Sequence, residues 1–391
     1  RGLCGAGVAF KLLNALLRLR KEQEQTLFGL KNYLWLVAIA TVGDSVPLRG
    51  ENRLIVHTGL EQLNQTVSQH PGLQELLKQI RRNKGRLQVA DIAYGIAPHL
   101  NAAGRIEDPR RAYKLLICTT AEDALLLVGE LVSQNARRKQ EEERFVAETI
   151  AQLKPPDQVI CVCPKGCTAG IMGVIASRLC ETYQCPVVIG VKQGDGTIKA
   201  SARVPEPCNA IECLNACRDE LDKYGGHERA AGLTIKTGRF RQFKRAFCKV
   251  CASKASDSPA ERKLQLDGYL LPSQLLDFGL KIPQLEPFGS GNPLPTVAVG
   301  GLRLEQVAPI LRKWLPALDG KGVKPQHLRF QFRAHNGTIM EGIWFRAAKY
   351  HAQLQSLIGH EVEVAAKLEL DHYYPNQPRA RLVILDIRGK Q

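Results

Sequence analysis

Gly225-Gly226-His227 sets two glycines beside an imidazole. A glycine backbone can approach a phosphate closely and offer it free amides, and the histidine can contact the same phosphate or help to position a scissile one. By itself the triplet also reads as a tight turn with an incidental histidine. Ser201-Ala202-Arg203 falls in a stretch of strand character, where residues two apart share a face. A hydroxyl and a guanidinium then point the same way, which suits a phosphate backbone; a solvated strand face is the plainer alternative. Asn101-Ala-Ala-Gly-Arg105 joins small residues, which permit close packing, to an arginine that can pair with a phosphate or a carboxylate. In Pro287-Phe-Gly-Ser-Gly-Asn-Pro293, Phe288 can stack on a base or, the favoured reading, pack as an anchor. Asp44 sits in Thr41-Val-Gly-Asp-Ser-Val-Pro47, a loop at the end of an apolar run, where a carboxylate serves as a catalytic ligand or simply forms the turn.

The elements that must hold these residues follow from pattern. Gly5–Leu19 carries apolar residues at helical spacing, and 52–65 and 72–80 read as helices too. The apolar run from Leu34 is a buried strand or helix core. Residues 120–153 read as one long helix, apolar first and charged through Arg137-Arg-Lys-Gln-Glu-Glu-Glu-Arg144, which Pro155-Pro156 stops. At ~1.5 Å per residue it spans about 50 Å, the length of an uncovered bridge between domains. Strands over 158–163, 186–191, 198–204 and 233–236 alternate with helices over 173–182 and 210–223, an α/β arrangement in which Gly225-Gly-His227 would open a helix. A polar stretch, 252–262, reads as a linker. Beyond it, strands over 297–305, 327–333, 338–345, 361–370 and 379–387, with one helix over 347–357, suit a small barrel of the oligonucleotide-binding type.

Composition narrows the partners. Lys and Arg number 54 against 38 Asp and Glu, a net charge of +16 that favours a polyanionic partner, most simply nucleic acid, over a solvated basic surface with no partner. No run approaches the ~20 apolar residues of a membrane span, and no secretory signal is evident, so a cytoplasmic protein without a membrane partner is expected. The 12 cysteines then read as reduced core thiols. Cys161-x-Cys163 with Cys167, and Cys248-x-x-Cys251, lack the paired spacing of a zinc ribbon, and Cys161 and Cys163 alternate in a strand pattern.

Taken together the motifs resemble, in order and through nearly the whole chain, the RecJ family of DHH phosphoesterases. Leu3-Cys-Gly-Ala-Gly-Val-Ala-Phe-Lys-Leu12 is similar to a segment late in that family's catalytic domain. Ala40-Thr-Val-Gly-Asp-Ser-Val-Pro-Leu48, with Gly50-Glu-Asn-Arg53, resembles its last metal-ligand motif, and Ala97-Pro-His-Leu-Asn-Ala-Ala-Gly-Arg105 its DNA-contacting motif. Gly173–Leu179, Ser201-Ala-Arg203 and Gly225-Gly-His227 resemble the DHH-associated domain, and Leu285–Pro293 the approach to the oligonucleotide-binding barrel.

The resemblance implies residues 1–118 as the C-terminal part of a DHH catalytic domain, 119–154 as a connecting helix, 155–252 as the DHH-associated domain and 262–391 as an OB-type β-barrel. It implies 5′-to-3′ hydrolysis of single-stranded DNA with Mn²⁺ or Mg²⁺, in recombination and repair. Asp44 would be a metal ligand and His227 a catalytic residue. His99, Asn101, Arg105, Ser201, Arg203, Gly225, Gly226 and His227 would bind DNA. His99 stands where the family pattern leads one to expect arginine. The Asp-His-His that names the family does not occur; Leu370-Asp371-His372-Tyr373 has one histidine only and falls in the expected barrel. With Arg1 as first residue, an N-terminally truncated chain that is inactive alone is expected. Its other partners would be a single-strand-binding protein or a chain supplying the remaining motifs. Two other functions fit the same residues: a non-catalytic single-strand-binding module, and a phosphodiesterase for short oligonucleotides or cyclic dinucleotides.

Overall fold

The computed structural model describes residues 2–19, 29–80, 85–152, 159–254, 263–310, 327–371 and 379–390. Contacts divide the chain into two units, Arg1–Leu60 with Arg262–Gln391, and Glu61–Glu261. In chain order the first helices are α1 (Gly5–Leu19), α2 (Leu34–Gly43) and α3 (Gly50–Thr66). The apolar run from Leu34 is thus a helix, with Trp35, Val37, Ala38, Ile39, Thr41 and Val42 buried. Gly59 lies in α3 where a Cβ would meet Ala38 Cβ at 2.5 Å, so the two helices meet through small residues.

The second unit opens with α4 (Pro71–Ile80), then α5 (Val89–Asp91), which passes through one π-helical turn, Ile92–Ile96, into α6 (Ala97–Ile106). Next come α7 (Arg110–Ile117) and α8 (Ala121–Gln152). α8 has the expected length but is not an uncovered bridge. Ala124, Val128, Leu131, Phe145 and Val146 are buried along it, against α4, α6 and α7 first and the following sheet domain later. The expected stop at Pro155-Pro156 lies outside the described residues.

The sheet holds β1 (Ile160–Val162), β2 (Val187–Lys192), β3 (Thr197–Arg203), β4 (Lys223–Gly226) and β5 (Ala230–Lys236) in the order β1-β2-β3-β5-β4. β1 and β2 are parallel and the other pairs antiparallel, so the α/β alternation yields a mixed sheet. α9 (Ala169–Tyr183) covers one face through Ile171, Ile175 and Leu179. α10 (Ala210–Asn215) and α11 (Phe240–Lys254) cover the other, where Phe243 and Phe247 stack at 5.5 Å. The helix expected over 210–223 ends at Asn215, because the residues from Lys223 pair with β5 instead. Gly225 and Gly226 accordingly lie in an edge strand, not at a helix start. Of the expected linker, 252–254 finish α11 and 255–262 lie outside the described residues.

The remainder of the first unit is β6 (Gly268–Leu270), α12 (Leu275–Lys281), β7 (Thr296–Ile310), β8 (His327–Ala334), β9 (Ile339–Trp344), α13 (His351–Gln355), β10 (Glu361–Asp371) and β11 (Arg379–Gly389). β7, β8, β9, β11 and β10 pair in that order and β10 returns to β7, closing a five-stranded barrel with β6 added alongside β7. Leu302, Leu304, Phe330, Phe332, Val362 and Leu382 fill it. Asp371 ends β10, whereas His372 and Tyr373 lie outside the described residues.

Candidate nucleic-acid interface

Three of the expected site residues line the N-terminal half of α9. Arg105, at the end of α6, donates from Nη1 to the Gly170 carbonyl at 3.2 Å. Gly170 has no room for a side chain, because a Cβ would stand 2.0 Å from the Arg105 carbonyl oxygen. One turn on, a Cβ on Gly173 would meet Arg203 Nη2 at 3.1 Å and Ser201 Oγ at 3.4 Å. The helix therefore lies directly on both arginine-bearing segments, and glycine at these two positions permits it. Thr168, the N-cap, makes no side-chain cap, so the partial positive charge of a 15-residue helix adds to the same place.

Ser201 is buried and Arg203 half-buried on β3. Arg203 donates from Nε to Ser177 Oγ at 3.0 Å, and from Nη1 to Ser201 Oγ at 2.7 Å and to the Ala202 carbonyl at 2.8 Å. These bonds aim the guanidinium and commit Nε and Nη1. Burial holds both arginines below their ordinary pKa, and their mutual repulsion pushes Arg203 the same way. Neither is in salt-bridge contact with a carboxylate among the described residues. Two cations, a hydroxyl and a helix N-terminus without a paired anion are groups whose chemistry suits a phosphate.

His99 does not face that site. It is 9% exposed, and both ring nitrogens are engaged. Nδ1 lies 2.7 Å from the Gly95 carbonyl and must carry the proton, so Nε2 accepts from Asn135 Nδ2 at 3.0 Å. Asn135 Oδ1 in turn accepts from Arg138 Nε at 3.1 Å, Arg138 Nη1 bonds Glu142 at 3.0 Å, and Arg178 reaches the same carboxylate at 3.4 Å. This polar chain ties α6, α8 and α9 together. The expected phosphate contact is replaced by an internal strut. Asn101 is exposed on α6.

Gly225, Gly226 and His227 form the end of the β4–β5 hairpin. The His227 amide donates to the Ala230 carbonyl at 2.8 Å, so it is spent within the turn. Gly226 has φ +151°, and a Cβ there would lie 2.4 Å from the Ala230 oxygen; a Cβ on Gly225 would meet nothing within 4 Å. Arg203 pairs across the sheet with Ala230, and Ala230 exchanges backbone hydrogen bonds with His227 in the turn that follows β4. The exposed His227 lines a shallow cavity of about 570 Å³ with Asn209, Ile211, Glu228, Arg229 and Ala230. Arg203 and Ser201 are not in that lining.

Asp44 belongs to the other unit. It caps the C-terminus of α2 and is exposed. Its loop and the start of α3 are braced by the Leu285–Pro293 segment: Leu48 donates its amide to the Ser290 carbonyl at 2.7 Å, Arg49 Nε to Gly291 O at 2.8 Å and Arg53 Nη2 to Leu285 O at 2.8 Å. Phe288 packs against the barrel core. A divalent cation takes several oxygen ligands, and no group of three or more His, Cys, Asp or Glu among the described residues is placed to hold one. Asp44 by itself does not make a metal site. The cysteines are free thiols, most of them buried, and burial pushes the Cys161 thiol well up.

Sequence reasoning missed two parts. One is the supporting set of Gly170, Ser177, Asn135 and Arg138; a small residue in the first turn of α9 was the available signal. The other lies on the barrel. Trp344 stacks on Tyr350 at 5.5 Å, Lys349 Nζ sits 4.8 Å over the Tyr350 ring, and the half-exposed Phe345 meets His327 edge-on at 5.3 Å. Arg346, at φ +59°, donates its amide to His327 Nδ1 at 2.9 Å. Rings interleaved with cations at the ends of β8 and β9 are what a single strand needs for base stacking.

The chain matches two family profiles, the DHHA1 domain over residues 157–253 and the RecJ OB domain over 266–386. Among curated proteins it is 35% identical over 297 residues to the single-stranded-DNA-specific exonuclease RecJ of Thermus thermophilus, covering 76% of this chain and 42% of that protein. It is 29% identical over 404 residues to RecJ of Bacillus subtilis, covering 100% of this chain and 48% of that one. The chain thus spans about half the length of these relatives. Crystal structures of Thermus thermophilus RecJ with Mn²⁺ and with Mg²⁺ superpose at TM-scores of 0.79 and 0.77, with 29% and 28% identity, over 99% of this chain and 53% and 56% of theirs. A mixed sheet domain whose glycine-marked helix packs on Arg105 of α6 and Arg203 of β3, a closed five-stranded barrel after it, and this likeness over the whole length lead to one conclusion: the chain belongs to the RecJ family.

Proposed function

We propose that this chain is the DNA-gripping part of a 5′-to-3′ exonuclease that hydrolyses single-stranded DNA with Mn²⁺ or Mg²⁺ in recombination and repair. The observation that carries the reading is the pair of the exposed Arg105 and the half-buried Arg203, set with Ser201 against the N-terminal half of α9 with no carboxylate in salt-bridge contact among the described residues. Cations that lack a paired anion attract a phosphate and, touching only the backbone of the strand, are blind to base identity. In the other unit, the ring and cation cluster around Trp344 and Tyr350 has the chemistry of a surface on which bases stack. The relatives named above carry single-stranded DNA in their names and Mn²⁺ or Mg²⁺ in their crystals.

In this reading residues 1–118 belong with a catalytic domain, 119–154 connect it to the associated domain at 155–252, and 262–391 form the DNA-binding barrel. Asp44 is one metal ligand of several, and the others come from residues outside this sequence, in the same protein or in a partner. When bound, the metal would activate water and neutralise charge on the phosphate. Arg105, Ser201 and Arg203 hold the strand, Asn101 lies beside them on α6, and His227 acts near the scissile phosphate. Among the described residues no helix is long and apolar enough to cross a membrane, and a cytoplasmic setting with single-strand-binding protein as a neighbour fits the proposal.

One observation favours a second reading, a module that binds single strands without cutting them: the described residues offer Asp44 but no metal-binding group. Incubating the purified chain with labelled single-stranded oligonucleotide and Mn²⁺ tests both. Binding that Arg105→Ala and Arg203→Ala weaken supports the grip, and release of nucleotides by the chain alone would refute its dependence on further ligands. Unchanged binding in both variants would refute the phosphate site.

A further inference from the structure

Tyr94 is 85% exposed, the most open of the large hydrophobic side chains among the described residues. It stands on the π-helical turn Ile92–Ile96, a local irregularity that collects at functional sites because it re-aims side chains. Ile92, Ile96, His99, Ala102 and Ala103 bury one side of this turn and of α6. Tyr94, Asn101 and Arg105 occupy the open side. The helix therefore presents a ring, an amide and a guanidinium in line. Eleven positions separate Tyr94 from Arg105, ~16 Å along the axis.

We propose that Tyr94 is a base-stacking platform for the single strand whose phosphate is held by Arg105 and Arg203, the strand running along the open side of α6 past Asn101. The inference rests on the phosphate site proposed above. No other large apolar side chain is exposed between Tyr94 and Arg105. Along this stretch of helix the exposed side chains are what a strand uses: one ring for a base and polar groups for the backbone. At 3.4 Å per nucleotide for a stacked strand, ~16 Å corresponds to about five nucleotides, fewer if the strand is stretched.

Binding of a fluorescent oligonucleotide of about a dozen nucleotides to the 391-residue chain tests this, using an intact strand and a set with one abasic position moved along it. Tyr94→Ala is expected to weaken the intact strand roughly tenfold, within the range for loss of one stacked base. Tyr94→Phe should bind like the parent, and Tyr94→Leu, apolar but without a flat π face, like Tyr94→Ala. One abasic position within about five nucleotides of the anchored phosphate should weaken the parent by a similar factor and have little further effect in Tyr94→Ala. Parent-like binding by Tyr94→Ala or Tyr94→Leu, or losses that multiply at every abasic position, would overturn the proposal. Arg105→Ala separates the two levels. If it weakens binding while Tyr94→Ala does not, only the platform fails; if both Arg105→Ala and Arg203→Ala leave binding unchanged, the phosphate site fails and the platform with it.

Discussion

Arg49 and Gly291 lie 242 positions apart in the sequence, and Arg49 Nε donates to the Gly291 carbonyl at 2.8 Å. Gly291 has φ +72°, and a Cβ there would come 2.9 Å from Pro47 Cβ. The loop bearing Asp44 is thus held by a loop that only glycine can form. Gly291→Ala combines left-handed strain with a clash and should destabilise the chain by ~1–3 kcal/mol. Arg49→Met removes one hydrogen bond at an exposed site and should cost about 1 kcal/mol or less. Denaturant unfolding of both variants checks this; a neutral Gly291→Ala would contradict it.

Arg203→Ala should weaken single-strand binding about equally for oligonucleotides of different base composition and lower the slope of log K against log salt by about one unit. Anisotropy titrations at several salt concentrations measure both. A loss confined to one base composition would assign Arg203 to base reading instead.

His99 makes stability depend on pH. Burial first, then the nearby Lys139 and Arg138, hold its pKa below the ordinary 6.5 despite the Gly95 bond. Below pH 6.5 the unfolded chain takes up a proton that the folded chain refuses, so this site's contribution falls as pH drops from about 6.5 to the lowered folded value and levels off beneath it. Protonated Nε2 would also face the Asn135 amide as donor against donor. In His99→Gln, melting temperatures between pH 7 and 5 should fall less steeply than in the parent. Identical pH profiles would rule out this role.

The hairpin separates a structural from a functional histidine. Gly226→Ala should lower the melting temperature, whereas Gly225→Ala should leave it nearly unchanged. His227→Ala, exposed and bonded through its backbone, should also leave it unchanged. In a protein whose remaining metal ligands are present, that variant should lose ~10²-fold or more in cleavage and much less in binding. A large fall in melting temperature for His227→Ala would make it a turn residue only.

Calorimetric titration of Mn²⁺ into the 391-residue chain should give weak binding, and added Mn²⁺ should release no nucleotides from a single strand, since one carboxylate is far short of a hard cation's ligand number. A tight one-to-one site would contradict this.

Where one face of an element is buried, its pattern was legible. The five barrel strands alternate inward and outward, and each was placed to within a few residues apart from β7, which runs five further to Ile310. Ser201 and Arg203 were readable as a pair because a strand puts them on one face, and the Ser201–Arg203 bond of 2.7 Å follows from it. Arg105 was recognised from its motif, but its approach to Arg203 depends on α9 resting on two glycines, a tertiary fit that leaves no periodic mark. Gly225-Gly226 was misread because strand pairing with β5 overrode the helical character of the residues before it. The fate of His99 was hidden because its partners, Asn135 and Arg138, are more than thirty positions away.

The first unit is built from two stretches of chain with the whole of the second unit, Glu61–Glu261, between them. That order has a consequence for assembly during translation. At roughly 5–20 residues per second, the ribosome needs about 10–40 s to pass the intervening 201 residues. Over that interval α1 and α2 have none of their later companions, while the second unit can condense as soon as it emerges. The wait falls on the leucine-rich α1, whose Leu12, Leu13 and Leu19 are exposed even in the folded chain. Nascent-chain chaperones that seize apolar helices would find a substrate there, and yield in the cell should respond to α1 surface changes more sharply than equilibrium stability does.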